Sequence, residues 1–142
     1  MHNNDDFGFL IQIINRQVFR FFSNAGKSIG ISSMEVNILN YFFDNKKKQL
    51  YQIDLETAFN IRSSTATANV NLMEKKGLLK RIPDPQDMRR KLLVPTKKAF
   101  VLEKELNYFK QQLDFKISNN LSSSEQKELK KMLKKIIKNL KE

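Results

Sequence analysis

The chain has 142 residues, 40% hydrophobic and 29% charged, which is enough for one folded domain that buries about 68% of its unfolded surface, and too apolar for a wholly disordered chain. Lysine and arginine outnumber acids 26 to 15, and the net charge of +11 points to a polyanionic partner, either nucleic acid or an anionic membrane surface. There is no cysteine, and the one histidine, His2, sits at a terminus expected to fray. Disulfides and thiol redox sensing are thereby excluded, and a zinc site or histidine base is disfavoured.

The opening "MHNNDDFGFLIQIINRQVF" has acids where a signal peptide needs basic residues, and no run approaches the roughly 18 apolar residues of a membrane span. A cytoplasmic protein is expected. Phe7, Leu10, Ile11, Ile14, Val18, Phe21, Phe22 and Ala25 recur at steps of three and four, one face of a helix that Gly26 and Gly30 should end. Phe9, Ile13 and Phe19 lie off that stripe, so this helix needs more cover than one neighbour gives, and a partner chain is implied.

"ISSMEVNILNYFF" predicts a second helix, with Ser32 or Ser33 as N-cap and Glu35 in the first turn. "DNKKKQ" reads as a solvated break. "YQIDLETAF" predicts a short third helix, with Ile53, Leu55 and Phe59 available for burial. Ser63 or Ser64 should cap a fourth, "STATANVNLMEKKG", whose inward stripe is Ala66, Val70 and Met73 and whose stop is Gly77. Its outward face is Ser63, Ser64, Thr65, Thr67, Ala68 and Asn71. Solvent-facing helices normally carry lysine and glutamate, so short polar side chains there suggest contact with something other than water.

"LLKRI" and "KLLVPT" predict a β-hairpin whose tip runs from Pro83 to Arg90. Pro83 and Pro85 exclude helix interior and central strand, which leaves a loop bearing Arg89, Arg90 and Lys91. From Lys97 to Leu121 the pattern predicts one helix of about 25 residues, roughly 37 Å long, with Leu102, Leu106, Phe109, Leu113 and Ile117 on one stripe. "SSSEQKEL" restarts a last helix. It places Leu129, Met132, Leu133, Ile136, Ile137 and Leu140 on one face and seven lysines elsewhere. No internal repeat is visible.

The order of elements is mainly α with a small β-hairpin: a helix-turn-helix, then a wing, between long N- and C-terminal helices. In "SSMEVNILNYF" and "IRSSTATANVNLMEKKGLLKRIPDPQDMRRKLLVPTKKA" the chain resembles the MarR family of bacterial winged-helix transcription regulators. The most specific words are Gly77-Leu78-Leu79 with Arg81, then Asp84, then Asp87-x-Arg89 before a strand ending in Thr96. The resemblance implies a single 1–142 domain, residues 31–96 forming the winged DNA-binding part and 1–30 with 97–142 the dimerising helices.

It further implies that Arg62, Ser63, Ser64, Thr65, Thr67 and Asn71 face the major groove of double-stranded DNA. Arg89 would enter the minor groove, held by Asp87, with Arg90 and Lys91 beside it. Phe7, Leu10, Ile11, Ile14, Leu129, Leu133, Ile136, Ile137 and Leu140 would join two subunits over a near-palindromic operator. Small aromatic or apolar effectors are also implied, with no metal and no cofactor. Ala68, Pro95 and Ala99 depart from the family's usual residues, so specificity is not expected to transfer from a relative.

Two other classes compete. The basic amphipathic last helix also fits a membrane surface or a nonspecific polyanion. An enzyme is least supported, because four scattered glycines make no phosphate loop and the triad and metal routes lack their residues.

Overall fold

The computed structural model describes residues 4–141, and His2 lies outside them. Asp6 caps the first helix, α1 (Phe7–Lys27), by accepting the Phe9 amide at 2.7 Å. Gly26 does not end that helix. It lies inside the last turn, where the Ile31 carbonyl folds back so closely that an added Cβ would stand 2.3 Å from the oxygen. Gly30, at φ +76°, makes the turn that follows.

The second helix, α2 (Ser33–Asp44), opens with a reciprocal cap, the Glu35 amide donating to Ser32 Oγ and the Ser32 amide to Glu35 Oε1. Such caps contribute about 1 kcal/mol. Val36, Ile38 and Leu39 of α2 are wholly buried and anchor the core. A two-residue strand, β1 (Leu50–Tyr51), leads directly into α3 (Gln52–Phe59) and then α4 (Ser63–Lys75). Of the three α3 residues expected to be buried, Leu55 is fully so and Phe59 half-buried, whereas Ile53 is 60% exposed. Eight residues give only one or two inward positions, and Leu55 takes the central one.

The fourth helix stops by hydrogen bonding. Gly77 at φ +75° lets the Leu78 amide reach Met73 O at 2.8 Å and its own amide reach Glu74 O at 2.9 Å. Leu78 and Leu79 then enter the core and start β2 (Leu79–Asp84), which pairs antiparallel with β3 (Asp87–Pro95). The sheet order is β1-β3-β2, with Leu50 opposite Leu93 and Tyr51 opposite Leu92.

The expected loop from Pro83 to Arg90 is mostly strand. Only Pro85 and Gln86 form the turn, and Pro83 pairs with Lys91. A proline that lacks its N–H is tolerated here because β2 is an edge strand, and a register shift follows at Pro83/Asp84.

The expected 25-residue helix is also interrupted. Thr96 caps α5 (Lys97–Val101), and the Leu102 amide bonds Ala99 O, three residues back, before α6 (Glu103–Ser118) resumes. Asn120, left-handed at φ 64°, ends the run before Leu121. Ser122 and Glu125 then cap α7 (Ser123–Leu140) reciprocally, and the Ser122 amide and hydroxyl hold the Glu125 carboxyl below the usual glutamate range.

Contacts divide the chain into Met1–Phe109 and Lys110–Glu142, with the boundary inside α6. The core belongs to the first unit and draws on Leu39, Leu55, Val70, Met73, Leu93 and Leu106. In the second unit α7 buries none of its side chains. Among the described residues no helix is long and apolar enough to cross a membrane.

Candidate nucleic-acid interface

Helices α3 and α4 meet across a three-residue turn that Asn60 makes in the left-handed conformation, at φ 51°. Arg62, rather than Ser63 or Ser64, is the N-cap of α4, and it supplies no side-chain cap bond. The cap is the last residue with extended backbone, and Ser63 is already helical. No acid lies in the first turn of α4, so its positive end is uncompensated. Ala66, Val70 and Met73 are fully buried, as their spacing predicts, and this turns Thr67, Ala68 and Asn71 to the surface.

Two of these outward residues are held by the scaffold. Gln52 Nε2, at the start of α3, donates to Thr67 Oγ1 at 2.9 Å and lies 3.3 Å from Glu56 Oε2. Arg81 on β2 forks, one arm ion-paired with Glu74 Oε1 and the other donating to Asn71 Oδ1 at 2.8 Å. The Lys76 ammonium, at the far end of α4, bonds the buried Glu35 carboxylate at 2.6 Å and ties the helix to α2.

In the wing, Asp84 Oδ1 accepts the Gln86 amide at 3.0 Å and sets the turn. Asp87 Oδ1 accepts the Arg89 amide at 3.1 Å and its Nε at 3.3 Å, while the Arg89 side chain remains 92% exposed. Arg90 is held differently. Its guanidinium lies 3.8 Å over the Tyr51 ring and 3.6 Å from Asp84 Oδ2, which also accepts the Tyr51 hydroxyl at 2.8 Å. The Gln86 amide, the Tyr51 hydroxyl and then Arg90 hold the Asp84 carboxyl below the usual aspartate range. Lys91 is exposed opposite Pro83.

Two open cavities adjoin these elements. One of about 360 Å³ lies among Tyr51, Gln52, Ile53, Arg81 and Arg90. The other, of about 340 Å³, is lined by Phe42, Leu50, Leu92, Pro95 and Phe100. Lys46 stands at its rim, paired with Glu103 at 2.5 Å and about 6 Å above the Phe43 and Phe100 rings.

Residues 29–90 match the model of the MarR family. Over 94% of this chain and 99% of the other, the fold matches the crystal structure of the transcription regulator MarR from Oenococcus oeni PSU-1, with 34% identity and a TM-score of 0.81. The chain belongs to the MarR family.

Two more distant structures share the MarR fold. The S. aureus MepR–DNA complex is 21% identical, with a TM-score of 0.89 over 99% of this chain and 100% of that one. A putative MarR family transcriptional regulator from Listeria monocytogenes, complexed with 26mer DNA, is 20% identical, with a TM-score of 0.88 over 96% and 89%. No curated protein matches the chain.

Within this MarR-family frame, Arg62, Ser63, Ser64, Thr65, Thr67 and Asn71 all lie exposed along α4, and Arg89, Arg90 and Lys91 lie on one strand of the wing. Sequence reasoning gave no role to Gln52 or Tyr51, nor to the carboxylate of Asp84. Tyr51 and Asp84 are 33 residues apart, and no local pattern announces such a bond.

Proposed function

We propose that this MarR-family regulator binds double-stranded DNA as a homodimer on a near-palindromic operator, represses the adjoining genes, and is released by a small aromatic or apolar effector. One observation carries the reading. A helix with a short-chain polar face lies beside a hairpin that presents a nearly fully exposed arginine, Arg89, fixed at its base by Asp87. That is the pairing a major-groove reader and a minor-groove probe require.

Arg62, Ser63, Ser64, Thr65, Thr67 and Asn71 are the proposed major-groove set, and Arg89 with Lys91 the proposed backbone and minor-groove contacts. Arg90 also belongs to the wing set, and its stack on Tyr51 supports a second role in orienting the strand. Residues 31–96 are the proposed DNA-binding part, flanked by helical parts that dimerise. DNA in the MepR complex and in the Listeria complex supports the choice of ligand.

The homodimer is supported by apolar surface left open on one chain. Phe7 is 86% exposed, Ile14 55% and Leu140 73%; Leu10, Ile11, Leu133 and Ile137 are also exposed, and Leu129 and Ile136 only half-buried. Surface of that kind marks an interface. For the effector, the apolar cavity under Phe100, with Lys46 at its rim, suits a small aromatic acid. Aromatic acids that weaken DNA binding of the native chain but not of Phe100→Ala would support that seat; equal weakening of both would remove it.

The first test is a titration against DNA immediately upstream of the protein's own gene, beside a scrambled fragment, at about 0.15 M salt. A preference of roughly a thousandfold or more is the expected result. Binding to this and to other candidate promoters that is no tighter than to the scrambled fragment would sink the sequence-specific reading and direct attention to vesicles and nonspecific polyanions.

A further inference from the structure

Two hydrogen bonds to the outward face of α4 share a chemical direction. Arg81 is donor-only, so the Asn71 atom that faces its guanidinium at 2.8 Å must be the carbonyl Oδ1. Gln52 Nε2 lies among three acceptors, Thr67 Oγ1, the Glu56 carboxylate and the Ser63 carbonyl, so the amide cannot be reversed and Thr67 must accept. In each case the scaffold engages the acceptor oxygen of a residue on the outward face and leaves its donor, Asn71 Nδ2–H or Thr67 O–H, unused by that bond. Arg62, at the head of the same helix, carries donors alone.

We infer that Arg81 and Gln52 are specificity-determining positioning residues that make α4 a donor-presenting helix, selecting base edges rich in acceptors and disfavouring those that offer an amino group. The inference rests on the proposed DNA reading and deepens it. A free asparagine pairs with adenine through both amide atoms, accepting from N6 and donating to N7. Here the Arg81 fork engages Oδ1 and pins the amide plane, which weakens Oδ1 as a partner for adenine N6 and makes the N–H₂ the group Asn71 offers first. Guanine O6 and N7, thymine O4 and adenine N7 are the acceptors it can meet, whereas the adenine and cytosine amino groups are not matched, so adenine loses the second of its two bonds.

The test is selection from a library randomised around the preferred operator, run on the full chain with Arg81→Lys, Asn71→Ala and the double variant. Lysine retains a charge for Glu74 but cannot fork to Asn71 as well. The expected result is that Arg81→Lys shifts one base pair towards adenine by about fivefold or more, with binding to scrambled DNA held within about twofold. In the Asn71→Ala background the same substitution should shift nothing.

Uniform weakening on every sequence, or an equal shift without Asn71, would make Arg81 a purely structural residue and overturn the inference. Gln52→Met provides the second arm: it frees the Thr67 acceptor and should relax preference at a different base pair, and an unchanged profile there would count against the donor-presenting helix. A native chain that prefers no sequence at all would instead remove the regulator reading on which the inference stands.

Discussion

Arg89 and Asp84 sit within six residues of each other and should respond oppositely to substitution. Arg89 is almost fully solvated and, among the described residues, its polar partner is Asp87, so Arg89→Ala should leave stability within ~0.5 kcal/mol of the native value. It should weaken DNA binding and flatten the salt dependence by about one unit, as the loss of one phosphate-region contact does. An unchanged salt slope would remove Arg89 from the interface. Asp84 is buried and holds the turn, β1 and Arg90 together, so Asp84→Asn should lower the denaturant midpoint at neutral pH. Its folded-state carboxyl is depressed, so its contribution is present above the unfolded aspartate value of ~3.9 and is lost as pH falls through the lower folded value. The difference between native and Asp84→Asn should therefore shrink in acid. A difference that persists to strongly acid pH would mean that shape, and not charge, makes Asp84 matter.

At the scale of elements, glycines show how local geometry sets the cost of a change. Gly77→Ala meets only ordinary contact with the Lys98 side chain, at 3.8 Å, so its cost is that of the left-handed backbone, about 1–2 kcal/mol. Gly26→Ala places a methyl group against the Ile31 carbonyl and should cost more, because backbone has to move. Thermal melts of the two variants would rank them, and a smaller loss at Gly26 would show that the turn before α2 is not rigid. Both glycines were visible in the sequence as helix stops, but only Gly77 is one. The inward stripe of α4 and the caps at Ser32 and Ser122 were legible because each is written within one or two turns. Three features were not legible. β1 has two residues and exists only because β3 lies beside it, Pro83 is a strand residue only because β2 is an edge, and the break at Leu102 falls within an unbroken apolar stripe. The outward residues of α4 could be read in the same way, but their hydrogen-bond polarity, set by Gln52 and Arg81 from other elements, could not.

At the scale of the whole molecule, the unresolved balance is between charge and apolar surface. A net charge of +11 opposes self-association, yet α1 and α7 expose phenylalanine, isoleucine and leucine that a lone chain leaves in water. Burying those faces against a second copy answers both demands if the apolar stripe of α7 is covered and its lysines stay outside. The same helix laid on an anionic bilayer would also cover the stripe, but would set its lysines against lipid headgroups. Deleting residues 124–142 separates the two. For the homodimer, sedimentation should show loss of the dimer, and operator affinity should fall steeply because two half-sites are no longer bound together. For the membrane reading, the dimer and its DNA affinity would survive while binding to anionic vesicles disappeared. The winged part should keep its helical signature in either case, since Leu39, Leu55, Val70, Met73 and Leu93 of its core all precede the deleted segment.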